Sequence, residues 1–516
     1  MAKKMGNNAR TAINIISSFG TTIFGLLISF FLSPYIVRTI GVEANGFVSL
    51  AGSFTTYATL VVMALNNMAG RFITIAYVQK DYQRANLYYN SVFWGNLVIV
   101  GILLIPSMTL IGNLERVISI PDHLQIDVKI LFALVFLAFF VRTGAPNWDC
   151  GPLVTNRLDR SCLPNAFASL LRCILILSLY WCLTPRVWYS SFVGLIVTII
   201  SLSIAAYNTH VLTPELRIQV KKPLCSIHAV RELVGSGIWS SIANAGNMLF
   251  SGLDLIICNL TLGPAAMGVL SLSKTIPTIL VDFSESLRGA FGPEMTILYA
   301  KGEKRELVRI VRRDIKVTMV IISVLTGGII IMSDAFYQLW LPTQDARLLQ
   351  ILTVFAILRY IIESGLSILE NVFPTTNTVR YNAVGLLISG VVSISATLLL
   401  VVFTDHDLLV IACTSSVVSI IRFISFVIPA SAHFLGLKWN TFYPQVLQSV
   451  LSCAVIVGIG WVVRTVLPID GWITFFLACG ITGILGLCAN MMIVLNKEER
   501  HYLIDIFKRK ILRRSA

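Results

Sequence analysis

The stretch that decides the fold is residues 262–316, LGPAAMGVLSLSKTIPTILVDFSESLRGAFGPEMTILYAKGEKRELVRIVRRDIK. Its apolar part carries Lys274, Asp282, Glu285 and Arg288, and a strongly basic segment follows. On a helix that turns about 100° per residue, these four charges lie within about 120° of one another, on one face. The other face is apolar, so in a membrane the charged face must contact protein or a water-filled cavity.

The composition of the whole chain is that of an integral membrane protein. Of its residues 56% are hydrophobic and 13% are charged, whereas soluble domains carry about 25% charge. The apolar stretches run for about 20 residues without alternation, which indicates membrane-spanning helices rather than strands. The fold class is therefore predicted to be all-α. The ten cysteines lie mostly inside these stretches without CxxC or metal-ligand spacing, and are expected to be small buried hydrophobes.

The hydropathy pattern predicts fourteen membrane spans. They cover residues 12–33, 46–69, 88–112, 127–148, 163–183, 187–209, 235–260, 265–290, 314–334, 347–373, 379–403, 408–431, 445–467 and 471–495. The first apolar stretch is too long for a signal-peptide core, so we expect an uncleaved first span. An even number of spans places both termini on the same side of the membrane.

The distribution of basic residues predicts which side that is. Of the 40 Lys and Arg residues, 28 lie in the segments on the side of the termini and six lie on the opposite side. By the positive-inside rule both termini are expected to be cytoplasmic. The net charge of +14 therefore indicates topology and contact with anionic lipid, and no nucleic acid partner is expected.

The chain contains an internal repeat. A shift of 222 residues aligns residues 40–79 with 262–301 without a gap, and 11 of the 40 positions are identical. The shift carries the second span onto the eighth, so each copy has six spans and the copies are parallel. We expect an N-lobe at 1–210 (spans 1–6), a cytoplasmic linker at 211–234, a C-lobe at 235–433 (spans 7–12), spans 13–14 at 444–495, and a basic cytoplasmic tail at 496–516. The tail is expected either to lie on the membrane as an amphipathic helix or to be solvated.

Charged residues inside the spans are the candidates for function. The basic ones are Arg142, Arg172, Lys274, Arg288, Arg359 and Arg422, and the acidic ones are Asp254, Asp282, Glu285, Glu363 and Glu370. Each would cost about 2.5–3.5 kcal/mol at the centre of a span that faces lipid. A polar cavity between the lobes explains them better than helix packing does. Asn244 and Asn247 share a face with Asp254, and Asn14 lies on a weaker uncharged stripe of the first span.

Some of these charges have a purely structural alternative. Arg359 with Glu363, and Glu285 with Arg288, have the spacing of self-neutralising pairs within one helix. Lys274 lies toward the outer end of its span and could extend its amine to the membrane surface.

No oppositely charged residue within one helical turn explains Arg172, Arg422 or Asp282. Arg172 and Arg422 have no carboxylate within one helical turn, so they are the better candidates for binding an external anion, with a partner on another helix as the alternative. Asp282 and Glu285 are three residues apart, and two carboxylates this close suit a proton-carrying site.

The sequence lacks the common catalytic motifs. It has no GxxxxGK[ST], so it does not hydrolyse ATP through a P-loop, and it has no HExxH or GxSxG. No cofactor or metal is expected. The outer loops are short apart from residues 112–127, which argues against a membrane glycosyl transferase or ligase.

Two segments resemble the polysaccharide flippases. SPYIVRTIGVEANGFVSL at 33–50 and its repeat LGPAAMGVLSL are similar to the LG-x4-G turn between paired helices in that family. AFGPEMTILYAKGEKRELVRIVRRD at 290–314 follows its P-x-hydrophobic and A-x-G pattern before a basic helix start. The resemblance implies two six-helix bundles around a partly cationic cavity. It also implies transport by alternating access of an undecaprenyl-pyrophosphate-linked oligosaccharide, of the O-antigen type, across a bacterial inner membrane.

This function assigns roles to the intramembrane charges. Arginine binds pyrophosphate and acidic sugars through planar donors, so we expect Arg172, Arg359 and Arg422, then Arg142, Lys274 and Arg288, to hold the head group. Asp282 and Glu285, then Asp254, Glu363 and Glu370, are expected to bind a coupling ion, H⁺ or Na⁺. The expected partners are the lipid bilayer, the lipid-linked sugar and polysaccharide polymerase or ligase machinery, with the protein a monomer.

Three other functions stay open. A lipid II flippase fits the extra spans 13–14, but the Arg-Asp pair that such proteins carry early in span 1 is missing here, where Asn14, Ser17 and Ser18 stand. A multidrug cation exporter conflicts with a cavity rich in arginine, which repels cations. A glycosyl transferase or ligase would form a glycosidic bond, and a flippase would not.

Overall fold

A computed structural model describes residues 7–155, 157, 159–219, 225–404, 408–496 and 499–500, without the side chains of 7–19, 22, 23, 26, 29, 159, 163 and 251. These residues form helices and turns, and no strand occurs among them. Asn14 and most of the predicted tail therefore lie outside the described side chains, as do residues 220–224 of the predicted linker.

The first half of the chain forms eleven α-helices within that range. They are α1 Asn7–Ile40, α2 Val42–Asn66, α3 Ala69–Val78, α4 Tyr82–Gly112, α5 Leu114–Val117, α6 Gln125–Gly144, α7 Cys150–Val154, α8 Asp159–Cys182, α9 Tyr189–Leu212, α10 Ile227–Ser251 and α11 Asp254–Leu262. A short 3₁₀ turn, Asp122–Leu124, precedes α6.

The second half, over the residues that the structure describes, forms another eleven. They are α12 Pro264–Ser273, α13 Thr275–Ala300, α14 Lys304–Trp340, α15 Ala346–Ile357, α16 Tyr360–Leu366, α17 Val372–Thr375, α18 Val379–Phe403, α19 Leu408–Arg422, α20 Ile428–Phe434, α21 Tyr443–Val466 and α22 Trp472–Val494. Two irregular turns interrupt the pattern, a 3₁₀ turn at Ser367–Asn371 and a π turn at Phe423–Val427.

The prediction of an all-helical multi-pass membrane protein is confirmed. Within the described residues, 11 helical segments are long and apolar enough to cross a membrane, and two bent helix pairs bring the number to 13. The predicted first span falls in α1, half of whose side chains lie outside the described part. The count of fourteen therefore stays a prediction.

The eighth span is not the single straight helix that the sequence predicts. It breaks at Lys274 between α12 and α13, which meet at 40°. Pro277 explains the break, because proline cannot donate a backbone hydrogen bond and its ring clashes with the carbonyl four residues earlier, that of Ser273. That carbonyl instead accepts a hydrogen bond from the Thr353 hydroxyl at 3.0 Å. The common charged face therefore holds only for the three residues on α13.

The tenth span is bent as well. The helices α15 and α16 meet at 43°, and Arg359 lies in the break between them. Near this break the Ala356 carbonyl accepts a hydrogen bond from the Ser416 hydroxyl at 2.9 Å. Side-chain hydroxyls thus satisfy backbone carbonyls close to both bends, as a broken helix in lipid requires.

The 222-residue repeat is visible in the backbone. Gly41 and Gly263, which open α2 and α12, both have φ near +89°. Lys80 and Gly302, at equivalent positions before α4 and α14, have φ of 60° and 75°. The copies differ between these turns, since the first breaks after α2, at residues 67–68, and the second breaks at Lys274.

The contacts divide the chain into two compact units. The first comprises Met1–Met248 and Leu255–Val269, and the second Leu249–Asp254 and Leu270–Ala516. In the first unit α1 packs against α8, and α6 and α8 pack against α9. In the second, α14 is the central helix and packs against α16, α21 and α22. The predicted lobe boundaries remain a prediction.

The last two helices are fastened to α14 by close packing and an ion pair. A Cβ on Gly327 would lie 2.8 Å from the Ile456 side chain, so the absence of a side chain lets α14 and α21 approach closely. Arg464 donates to both carboxylate oxygens of Asp334, at 2.7 and 2.8 Å. The predicted spans 13 and 14 are thus part of the second unit.

Two asparagines of α4 fasten the beginning of the predicted linker. The Asn86 amide donates to the Glu215 carbonyl and accepts from the Arg217 backbone N–H, both at 2.8 Å. The Asn90 amide donates to the Arg217 carbonyl at 2.9 Å and accepts from the Gln219 N–H at 2.8 Å. These side chains hydrogen-bond the backbone at 215–219 as a neighbouring strand would.

Candidate functional site

A cluster of four charges occupies the second unit. Both guanidinium nitrogens Nη1 and Nη2 of Arg422 donate to Glu370 Oε1, at 3.2 and 2.6 Å. Arg288 donates to the other oxygen of Glu370 and also to Glu285. The Arg422 side chain is only 4% exposed. Two positive and two negative groups therefore neutralise one another, and we call Glu285, Arg288, Glu370 and Arg422 the charge cluster.

Irregular helix geometry positions the charge cluster. Glu370 lies in the 3₁₀ turn between α16 and α17, and Arg422 is the last residue of α19 before the π turn. The Asn371 amide donates to the Arg288 carbonyl at 2.7 Å and joins this turn to α13. Departures from regular α-helix of this kind occur often at functional sites.

For Arg422 the structure selects one of the two alternatives that the sequence leaves open. Its partner is a carboxylate 52 residues away in the chain, on a different helix. Arg288 forms ion pairs with two carboxylates. The pair with Glu285 at i,i+3 is present, and Arg288 also binds Glu370.

The alternative of an ion pair between Arg359 and Glu363 is not what the structure has. Arg359 stacks over the Tyr360 ring at 5.0 Å from its centroid, and no carboxylate within the described residues forms an ion pair with it. Glu363 is buried and accepts a hydrogen bond from the Ser419 hydroxyl at 2.7 Å. The backbone between the two residues is helical, since the Glu363 N–H donates to the Arg359 carbonyl at 2.9 Å, but the Arg359 guanidinium turns to the Tyr360 ring instead.

Lys274 forms an ion pair with a carboxylate at the start of another helix. Its amine donates to Asp254 Oδ2 at 2.7 Å, and the Asp254 side chain is buried. The helix break places Lys274 opposite the first residue of α11. This pair removes Lys274 from the set of cations without a carboxylate partner.

Asp282 differs from the other predicted coupling residues. It is exposed on α13, and no hydrogen bond or ion pair joins it to any described residue. Glu285, three residues later, is bound to Arg288. The proposed two-carboxylate site is therefore reduced to one carboxylate without a bound partner.

The first unit holds the two most accessible of the predicted head-group cations. Arg172 on α8 is exposed, and within the described residues it has no hydrogen bond or ion pair. Arg142, at the end of α6, lies 3.8 Å from Asp149, and both side chains are about two-thirds exposed. Asn244 and Asn247 on α10 have no side-chain hydrogen bond to any residue that the structure describes.

A cavity of about 300 Å³ lies within the first unit. Its polar lining includes Asn66, Asn67, Asn96, Arg142, Asn147 and Asp149, beside the aromatic rings of Phe139 and Trp148. Of these residues the sequence predicts only Arg142, because it is the charged residue among them that lies inside a predicted span. A search for amides inside apolar spans would have found Asn66 and Asn96.

Comparison with known proteins gives the family. The model of the family described as polysaccharide biosynthesis protein matches residues 12–299. The chain is also 25% identical over 508 residues to an uncharacterized membrane protein, EpsK, of Bacillus subtilis (strain 168), which covers 96% of this chain and 98% of EpsK. The resemblance to polysaccharide flippases is thereby confirmed at the level of the family.

Solved structures give the fold. An inward-facing multidrug resistance MATE family transporter of the MOP superfamily superposes with a TM-score of 0.62 at 14% identity, over 84% of this chain and 99% of that one. The lipid II flippase MurJ, in an inward closed conformation, superposes with a TM-score of 0.61 at 13% identity, over 97% and 100%. The chain is therefore a multi-pass membrane protein of the polysaccharide biosynthesis protein family, with the fold of the MOP superfamily.

Proposed function

We propose that the protein flips an undecaprenyl-pyrophosphate-linked oligosaccharide from the cytoplasmic to the outer leaflet of a bacterial inner membrane. The mechanism is alternating access coupled to H⁺ or Na⁺. Both termini are cytoplasmic, the protein acts as a monomer, and the reaction leaves the substrate chemically unchanged. The family and the fold shared with a lipid II flippase support transport of a lipid-linked sugar.

The observation that carries the proposal is that the Arg172 guanidinium has no carboxylate partner among the described residues. A guanidinium in a membrane helix costs several kcal/mol unless something compensates it, and no described residue pairs with Arg172. The cations Lys274, Arg288 and Arg422 of the second unit are bound to carboxylates. An anionic head group would supply the missing partner of Arg172, since pyrophosphate accepts the planar donors of arginine.

The other predicted head-group residues take lower ranks. Arg142 ranks below Arg172, because the Asp149 carboxylate 3.8 Å away offsets its charge toward an anion. Arg359 comes next, since it is held by an aromatic ring rather than by a carboxylate. Arg288, Arg422 and Lys274 would have to leave their carboxylates to bind the substrate.

The carboxylates suit coupling for a related reason. Asp282 has no cation beside it, and Glu363 is held by a serine hydroxyl. Either can bind a proton or a sodium ion without breaking an ion pair. Glu370 would have to break its ion pairs with Arg288 and Arg422 before it could bind an ion. Asp254 and Glu285 would each have to break one ion pair.

Reconstitution in liposomes tests this function. Fluorescently labelled undecaprenyl pyrophosphate that carries a short oligosaccharide is placed in both leaflets, and its transfer is followed by a quencher outside. We expect wild type to move it unchanged, and Arg172→Gln to slow transfer at least about tenfold, the loss expected when a charge-assisted hydrogen bond is removed. Arg116→Gln, on the predicted outer side, is the matched control.

Other results would identify the alternatives. Transfer of lipid II but not of the oligosaccharide lipid would assign the lipid II flippase function. Export of organic cations alone would assign a multidrug exporter, and a new glycosidic bond in the recovered lipid would refute transport as the activity. Wild-type rates in the Arg172→Gln variant would contradict the proposed role of that residue.

A further inference from the structure

The cavity in the first unit has the chemistry of a carbohydrate site. Its polar lining includes side chains of α2, α4 and α6 and of the turn at residues 145–149, all within one unit. The lining combines amides, one guanidinium and one carboxylate with two aromatic rings. Ligand sites are typically apolar walls with a few placed polar groups, and this cavity has an unusually high share of amides.

The amides have hydrogen-bonding capacity left over. Asn66 and Asn96 bond to each other in both directions, at 2.9 and 3.1 Å, and the second N–H of Asn96 is not used within the described residues. The side-chain amides of Asn67 and Asn147 have no hydrogen bond to any described residue. An amide both donates and accepts, which matches the hydroxyl groups of a sugar.

The charge of the lining argues against an anion. Among the described residues that line it, Arg142 and Asp149 are the ionised groups, and their charges cancel. The two side chains lie 3.8 Å apart and are 66% and 72% exposed, so each can turn toward a neutral ligand. Pyrophosphate or an acidic sugar would gain as much repulsion from Asp149 as attraction from Arg142.

The size of the cavity limits the ligand. A volume of about 300 Å³ is at the small end of the range for ligand sites, about 300–1,000 Å³. One or two sugar rings fit this space better than a whole oligosaccharide or a polyprenyl chain. Phe139 and Trp148 offer apolar surfaces for the faces of such rings.

We propose that this cavity binds an uncharged sugar residue of the transported glycan and so selects the sugar. The inference rests on the proposed flippase function and assigns the first unit a second task beside holding the head group. Asn67, Asn96 and Asn147 would bond the hydroxyls. Arg142 and Asp149 would complete the contacts as a neutral pair.

Binding to the full-length protein in nanodiscs tests the proposal. The probes are undecaprenyl pyrophosphate alone, the same lipid carrying a neutral N-acetylglucosamine disaccharide, and the same lipid carrying a disaccharide of uronic acid. We expect the neutral disaccharide to raise affinity over the bare lipid by about tenfold, and the acidic one to raise it less. The double variant Asn67→Leu, Asn147→Leu should abolish the gain and leave the affinity for the bare lipid unchanged.

Each outcome decides a separate question. Asn113→Leu, at the end of α4, is the matched control and should keep the gain. If the double variant keeps the gain, or if wild type binds all three lipids equally, the sugar site is refuted while the flippase function stands. If wild type binds none of the three, the proposed function itself is refuted. Unchanged binding of the bare lipid shows that the double variant is folded.

Discussion

Gly46 and Gly268 pack backbone against backbone within the first unit, so closely that a Cβ on Gly46 would lie 2.9 Å from the Cα of Gly268. The two residues are equivalent positions of the 222-residue repeat. Small residues allow such close helix crossings in membranes. The repeat therefore places a glycine of each copy at the point where α2 and α12 cross.

This crossing predicts that even one methyl group is harmful. Gly46→Ala and Gly268→Ala should each lower stability by about 1–3 kcal/mol, because the new Cβ meets backbone atoms that cannot move aside. Thermal unfolding in detergent measures the effect. Gly52→Ala is the control, since nothing lies within 4 Å of its new Cβ, and the helix should gain up to about 1 kcal/mol. Equal melting temperatures for the three variants would contradict the prediction.

The charge cluster predicts a strong dependence on Glu370. Glu370→Gln leaves the buried guanidinium of Arg422 without its carboxylate, and loss of one member of a buried pair costs about 3–5 kcal/mol. Glu285→Gln should cost less than about 1 kcal/mol, because its side chain is 53% exposed. The melting temperatures of the two variants give the comparison. The double variant Glu370→Leu, Arg422→Leu should recover part of the loss.

The carboxylate of Asp282 is expected to make the transport rate depend on a pH or sodium gradient. Asp282→Asn should bind the lipid-linked sugar normally but lose the acceleration that an imposed pH or sodium gradient gives to wild type, since the amide cannot take up either ion. Asp470→Asn, in an exposed loop, is the control and should respond as wild type does. A response of Asp282→Asn equal to that of wild type would move the coupling site to Glu363.

Glu499 predicts a pH-dependent attachment of the segment that follows α22. Its carboxylate accepts two hydrogen bonds from Lys316 on α14, at 2.7 and 2.8 Å. Burial alone would raise the pKa of Glu499, but the hydrogen bonds from Lys316 and from the Asn496 N–H outweigh it, so the pKa is lowered. A lowered pKa in the folded state stabilises the protein above the unfolded pKa of about 4.3. The contribution is lost as the pH falls through the folded pKa.

A double-mutant cycle with Lys316→Met and Glu499→Gln measures this contribution. At about pH 7 the coupling should be about 0.5 kcal/mol, a modest value because Glu499 is 37% exposed. Toward pH 3 it should decrease, since the carboxylate takes up protons as the pH falls toward the lowered folded pKa. A coupling that stays constant between these two pH values would show that the charge of Glu499 does not act.

The sequence predicts the helical class, most spans and the repeat because these depend on hydropathy and on local turns. Gly41 and Gly263, for instance, occur in both copies of a short motif and adopt the same φ. The ion-pair partners of the charged residues depend instead on how distant helices pack. Spacing along one helix suggests a pair between Arg359 and Glu363, whereas Arg359 stacks on the Tyr360 ring in the structure. Spacing also cannot show that Arg422 binds Glu370, which lies 52 residues away in the 3₁₀ turn. Pro277 was the local signal for the bend at Lys274.

The amide cavity shows a second limit of sequence reasoning. Asn66 and Asn96 are 30 residues apart and bond to each other. Neither carries a charge, so neither stands out by its insertion cost. Only the packing of α2 beside α4 brings them together. The charge of Arg142 marks it as a candidate, whereas Asn147 is an uncharged amide and Asp149 lies just beyond the predicted span at 127–148.

The two copies of the repeat keep their turns and change what lies between them. Positive-φ residues stand at Gly41 and Lys80 in one copy and at Gly263 and Gly302 in the other, while the bends fall at different places. Because the turns determine where each hairpin enters and leaves, the helices between them could gain a proline bend and charges without rerouting the chain. The turns thus act as fixed anchor points of the duplicated scaffold, and the helices between them are free to differ in bend and in charge.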